Sequence, residues 1–368
     1  MISFFTEGLN RLVGRGDAAI TVPPMDGPFR ANNIIEDAEV VTELSDGVDI
    51  AFDGSKLWLA QGNELSFLLP DGKRQICAMF DGPLTAIAAV PNVGIAVAVN
   101  ARDISIYNGK VESLGHRTPA GKPFYSITSI SPASDGSLYV ADASRKNRPD
   151  AWTRDLLEHG KTGRVCQVFT DSTLDKQLIS GLRYVAGVMV ADNGLWISES
   201  WAHQIVSVDL AAVKTQPAQI TARLPAYAGR MTATSDGGAW VCMFSARRRL
   251  VELVLRERRF RRLMMQEVDP RYWIAPMLSS GNSFQEPLQG GNVKSMGISK
   301  PWAPPRSYGL VVRLDPLGQP LYSLHSRTDG RHHGIVSAVE AYGALYMLSK
   351  GANLLLKVRL SEIEEHFL

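Results

Sequence analysis

Asp142, Glu199, His203, His332 and His333 are side chains of this 368-residue chain suited to acid–base chemistry. Imidazole titrates near neutral pH, and a carboxylate can take the proton that an imidazole gives. Glu199 or Asp142 would serve as base, and His332 or His333 as acid. Asn100, Ser144, Trp201, His203, Arg247 and Lys350 are candidates to hold the molecule acted on, with Arg247 suited to an anionic group. Each has a structural use as well. Buried carboxylates cap loop N–H groups or pair with Arg and Lys, and adjacent histidines on a strand face opposite ways. A transition-metal set of His203, Glu199 and His332 or His333 lacks short ligand spacing. Ser144, Ser200 and Ser245 lack the turn that presents a nucleophilic serine. No cofactor is expected.

These residues lie far apart in the chain, so they form one site only if a repeated fold gathers its loops. Such a repeat is present. Leu57–Ala60, Ile95–Ala98, Leu138–Ala141, Leu195–Ser198, Ala239–Cys242 and Leu345–Leu348 are similar strand phrases, each preceded by a tight turn such as Asp53-Gly54, Asp135-Gly136 or Asp236-Gly237. Most of the intervals are close to 40 residues, the length of a four-stranded blade. The chain is therefore expected to be all-β, a six-bladed β-propeller with a short helical insertion and a lid-like loop insertion. A strand leads into each turn, and a half-exposed strand follows each phrase, as in Val48–Phe52 and Glu64–Leu68. The loops after the second strands and the starts of the innermost strands then converge at one mouth of the channel. Most of the candidates stand on those loops.

Residues 1–35 read as an N-terminal extension and 36–368 as the propeller, with insertions at about 145–162 and 266–306. In the first insertion Pro149 suits the start of a helix and Gly160 the residue past its end. The second, rich in Pro and Gly, is expected to cover the mouth. The segment Ala38–Leu44 is expected to pair with the last blade and close the ring, since an open ring leaves two bare sheet edges. The arginine-rich stretch from Arg247 to Arg262 reads as a basic hairpin on the fifth blade, with Leu250–Leu255 as strand.

Composition fits a globular chain: 45% apolar, 21% charged, net charge +2. That balance argues against nucleic acid as a partner. No run is long and apolar enough for a membrane helix, and the N-terminus lacks a secretory pattern, so a cytoplasmic location without membrane partners is expected. Cys77, Cys166 and Cys242 read as buried free thiols.

Several phrases resemble the strictosidine-synthase-like family of the gluconolactonase and arylesterase superfamily. They are Tyr139–Ser144 with the helix and Gly163–Val165 that follow, Leu182–Val188, Leu195–Ser200, Leu224–Met231 and Tyr308–Asp315. The resemblance implies a six-bladed propeller related to calcium-dependent lactonases. In those relatives a Glu, an Asn and an Asp at the starts of innermost strands hold Ca²⁺; the matching residues are Val48, Ala186 and Gly229. None has a side-chain oxygen to give to an ion that takes six to eight. Asp49 lies one residue away, and in a regular strand that points it to the opposite face. The glutamate of the family's condensing enzyme falls on Val336 or Gly334. With Thr85 and Thr128, the innermost starts form a ring without a carboxylate.

The expectation is a metal-independent enzyme acting on a small organic molecule at the channel mouth, with hydrolysis of an ester or lactone as its reaction. The alternatives are a non-catalytic ligand- or protein-binding propeller and a condensing or cyclising enzyme of the strictosidine-synthase type.

Overall fold

The computed structural model describes residues 22–367, apart from 116, 172–173, 193, 212–216, 284, 288–293, 296–297 and 300–305. Among these residues six four-stranded antiparallel sheets follow one another along the chain. The first five blades run from Gly47 to Met79, Leu84 to Ser113, Ile127 to Leu182, Val185 to Thr221 and Ala226 to His325. The sixth holds Ile335–Ala341, Ala344–Ser349 and Leu354–Arg359, and takes its fourth strand, Glu39–Glu43, from the start of the chain. Val40 pairs with Leu356 there. The ring closes as the sequence predicts, because the paired strand removes both free edges.

All six strand phrases are second strands of their blades. Their alternation serves two interfaces at once. Leu57 and Leu59 pack toward Tyr346 and Leu348 of the sixth blade, while Trp58 and Ala60 pack toward Ile87 and Val97 of the second. Each strand is therefore apolar on both faces. The turns before them are set by local chemistry. Asp53 accepts from the backbone N–H of Ser55 and Lys56 and from Trp58 Nε1, and Gly54 takes a φ of 93° that a side chain would resist.

The first insertion contains helix α1, Trp152–Leu157, entered through a 3₁₀ turn at Pro149–Ala151. His159, with φ of 56°, takes the left-handed position after the helix. Gly160 is needed for another reason: a Cβ there would collide with the Asp155 carboxylate.

The arginine-rich stretch differs from its expectation. It is a helical pair, α2 (Arg249–Arg256) and α3 (Arg258–Glu267), not a strand hairpin. The run Leu250–Leu255 fits either period in sequence. The buried positions Val251, Val254 and Leu255 follow helical spacing, because the run lies flat on an apolar surface instead of pairing at a sheet edge. The pair belongs to an excursion that leaves the fifth blade after its second strand, Ala239–Ala246, and returns at Leu310. With α1 it covers Tyr184, Trp201, Tyr227 and Phe244.

Candidate functional site

The channel is shaped by backbone irregularity. Pairing between first and second strands shifts register between Gly47 and Asp49, Leu84 and Ala86, Ile127 and Ser129, Val185 and Gly187, and Ile335 and Ser337. The residues skipped are Val48, Thr85, Thr128, Ala186 and Val336, which the sequence places at the starts of the innermost strands. In the fifth blade two such shifts occur between Ala226 and Met231. A bulge turns the backbone and breaks the two-residue alternation.

Arg230 leaves the fifth blade and crosses to three others. Its Nη1 donates to the carbonyls of Val48 (3.1 Å) and Val336 (3.2 Å), and its Nη2 to that of Thr85 (2.7 Å). Its Nε lies 3.3 Å from Asp49 Oδ2, an ion pair whose angle is too poor for a hydrogen bond. Asp49 also accepts from Ile87 N at 2.9 Å and from Ser337 Oγ at 2.7 Å. Two expectations change here. The sequence register turns Asp49 away and reads the ring as uncharged, yet the bulge at Val48 brings Asp49 to the channel arginine. The residue that reaches across is Arg230, one beyond Gly229.

The predicted acid–base residues occupy separate hydrogen-bond sets. Asp142 is fully buried; it accepts from Tyr125 N and Ser126 N and lies 2.9 Å from Arg164 Nε. Burial pushes its carboxyl up against the opposing pull of Arg164. Glu199 accepts from Arg183 N at 2.8 Å and Gln204 Nε2 at 2.7 Å. His332 Nδ1 meets the carbonyl of Ile35 at 2.8 Å. His203, at a φ of 53°, lies 3.7 Å from Glu252, which also binds Arg247 Nε at 2.9 Å. Burial first, then Arg247 and Arg183, push the His203 imidazole well below its ordinary range.

The predicted binding residues divide likewise. Ser144 and Trp201 meet through Asp155, which accepts Ser144 Oγ at 2.6 Å and Trp201 Nε1 at 2.8 Å. Trp201 also stacks on Tyr184, with centroids 4.4 Å apart. The Asn100 side chain covers Gly82, and the Asn100 backbone carbonyl accepts Arg148 Nη2 at 3.0 Å. Lys350 lies 3.7 Å from Asp46 and keeps about a third of its side chain exposed. Burial lowers its ammonium pKa, and Arg230 adds to this while Asp46 opposes it.

His333 is different. Its Nε2 lies 2.7 Å from the Arg327 carbonyl and its Nδ1 2.7 Å from Ser307 Oγ. A carbonyl only accepts, so Nε2 carries the proton and Nδ1 is the acceptor. Ser307 therefore donates to His333 and accepts, in turn, from Ser280 Oγ at 2.7 Å. The chain Ser280–Ser307–His333 runs from a half-buried serine to a buried imidazole that burial holds below its usual pKa. Ser280 follows Ser279, which lines a cavity of about 390 Å³ together with Asp150, Trp152, Arg271, Trp273 and Met277. Such volumes suit small organic ligands. Both serines lie in the excursion, with no local motif around them, so nothing in the sequence singles them out.

No protein-family model matches the chain, and no curated protein does. Solved structures do. A gluconolactonase from Xanthomonas campestris matches with a TM-score of 0.57 at 12% identity, covering 87% of this chain and 88% of that one. A luciferin-regenerating enzyme matches at 0.52 and 11%, covering 88% and 93%. A calcium-binding protein, regucalcin, from Agrobacterium tumefaciens matches at 0.52 and 10%, covering 87% and 92%. The chain is thus a six-bladed propeller of the gluconolactonase and regucalcin type in fold. Among the described residues no three His, Cys, Asp or Glu side chains gather as a metal-ligating group. None of the described helices is long and apolar enough to cross a membrane.

Proposed function

We propose that this propeller is a metal-independent hydrolase of small esters or lactones, working beneath the cover of its channel mouth. The observation that carries the reading is the 2.7 Å contact between Ser307 Oγ and the acceptor nitrogen of His333. A neutral imidazole of fixed tautomer can take a serine proton. In this reading Ser280 Oγ attacks the carbonyl carbon beside the cavity. Its proton passes to Ser307 as the Ser307 proton passes to His333 Nδ1. The C–O bond breaks, and the departing alkoxide, which stays attached to the acyl group in a lactone, takes a proton back through the same chain. Water then cleaves the acyl-Ser280 ester by the same steps.

His333 thus serves as base, and Asp142 and Glu199 hold loops. The strictosidine-synthase-like phrases and the lactonase-type fold neighbours lend support to the same class. A condensing reaction has less support, since Val336 and Gly334 stand where its glutamate would. The second reading is a ligand-binding propeller without catalysis. It is favoured by the full use of Asp142 and Glu199 in their own loops.

A panel of esters and lactones, assayed with and without chelator, tests the proposal. A fluorophosphonate probe followed by peptide mass mapping adds a second readout. The expected result is chelator-resistant turnover, label on Ser280, and a loss of about 10³-fold in kcat for Ser280→Ala and His333→Gln. An inactive panel with no labelling would favour the binding module.

A further inference from the structure

The channel of this propeller carries its own cation. We infer that the Arg230 guanidinium takes the part that Ca²⁺ plays in calcium-dependent propellers of this fold, tying blades together at the axis. The bulges at Val48, Thr85 and Val336 aim three carbonyl oxygens from three blades at one point. Carbonyl oxygens and one carboxylate, that of Asp49, are ligands a hard cation would accept. Here the three carbonyls receive guanidinium N–H groups at 2.7–3.2 Å, and Asp49 Oδ2 lies 3.3 Å from Nε. Asp49 is in turn held by Ser337 of the sixth blade and Ile87 of the second.

Charge favours the exchange. With a single carboxylate, a divalent ion would leave a net positive charge at the axis, whereas Arg230 and Asp49 cancel. Geometry favours it too. A planar fork with five N–H groups reaches separated carbonyls that a lysine point charge would satisfy only in part. Gly229, just before it, lets the bulged strand lie close to its neighbour: a Cβ there would lie 2.9 Å from the Cys242 carbonyl of the second strand. The arginine is a positioning residue for the fold, and its role is independent of whether the mouth hydrolyses anything.

The same geometry implies a latent cation site. Shortening Arg230 leaves a carboxylate and three carbonyls facing an empty axis, with water able to complete the shell. The test is thermal unfolding of wild type, Arg230→Met, Arg230→Lys and the double variant Arg230→Met with Asp49→Asn, each with chelator or with millimolar CaCl₂. Wild type should be indifferent to both additions. Arg230→Met should lose on the order of 5–10 °C in Tm and regain about 3 °C with Ca²⁺. The double variant should lose the Ca²⁺ response, because the carboxylate is gone. Arg230→Lys covers the case in which the methionine variant does not fold, and should melt between wild type and that variant. A wild-type Tm raised by Ca²⁺, or an Arg230→Met variant (or, if that does not fold, Arg230→Lys) as stable as wild type, overturns the inference. Both readouts leave the hydrolase proposal untouched, so the two can fail separately.

Discussion

Trp201 Nε1 donates to Asp155 Oδ1 at 2.8 Å, and this hydrogen bond joins the fourth blade to helix α1 of the third-blade insertion. The other carboxylate oxygen accepts from Ser144 Oγ and Asn147 Nδ2. Asp155 is 1% exposed, so three side chains depend on one acceptor group. The arrangement fixes Trp201 against Tyr184 and so shapes the covered mouth.

Asp155→Asn should therefore lose about 2–3 kcal/mol, because an amide turns a donor toward groups that are already donors. Urea unfolding measures this. A loss below about 1 kcal/mol would mean that the carboxylate does not organise the insertion.

Arg164 makes the converse case. It pairs with Asp142 at 2.9 Å and also donates to the carbonyls of Pro119, Lys122 and Pro123, with no exposure of its side chain. Arg164→Met should cost about 3–5 kcal/mol by stranding a buried carboxylate. Adding Asp142→Asn should recover part of that loss, which a double-mutant cycle reads directly. Simple additivity of the two changes would refute the pairing.

Acid should destabilise the fold through buried imidazoles. His325 lies between Tyr308 Oη at 3.0 Å and Ser323 Oγ at 2.7 Å, and burial holds it at about 4 against an ordinary 6.5. Above pH 6.5 it is neutral in both folded and unfolded chains, and its contribution is fully present. As pH falls toward 4 the unfolded chain takes a proton that the folded chain refuses. Stability should drop by about 3 kcal/mol across that window. His203 and His333 shift in the same direction. Chemical unfolding at pH 7, 5.5 and 4.5, repeated on His325→Gln, isolates this share; an unchanged pH slope in the variant would assign it elsewhere.

Lys350 should act on binding more than on turnover. Its ammonium feels both Arg230 in the channel and Asp150 on the cavity wall. If the molecule bound there is an anionic ester, Lys350→Met should raise KM about tenfold with kcat nearly unchanged, an effect that salt diminishes. An equal fall in kcat would place the lysine in the chemistry instead.

Much of the scaffold was legible in the residues. Asp-Gly turns followed by Leu-Trp-Leu or Leu-Tyr-Val phrases report a two-residue period at a near-constant interval, and both signals are local. The closing strand was legible for a different reason, since Glu39–Glu43 has no partner nearby and the ring needs one. The arginine-rich run is ambiguous in sequence because six successive apolar and acidic residues, Leu250–Leu255, fit helix and strand alike until a surface selects one.

The sequence by itself determined six blades, their order and the mouth to which their loops lead, because turn chemistry and alternation act within a few residues. Which side chains meet there was decided by tertiary structure. Bulges at the innermost strands set Asp49 against Arg230, although one precedes the other by most of the propeller. The Ser280–Ser307–His333 chain likewise forms where the fifth-blade excursion folds back on the sixth blade. Such contacts depend on where a backbone bends in three dimensions, and a one-residue bulge leaves no mark in composition or period.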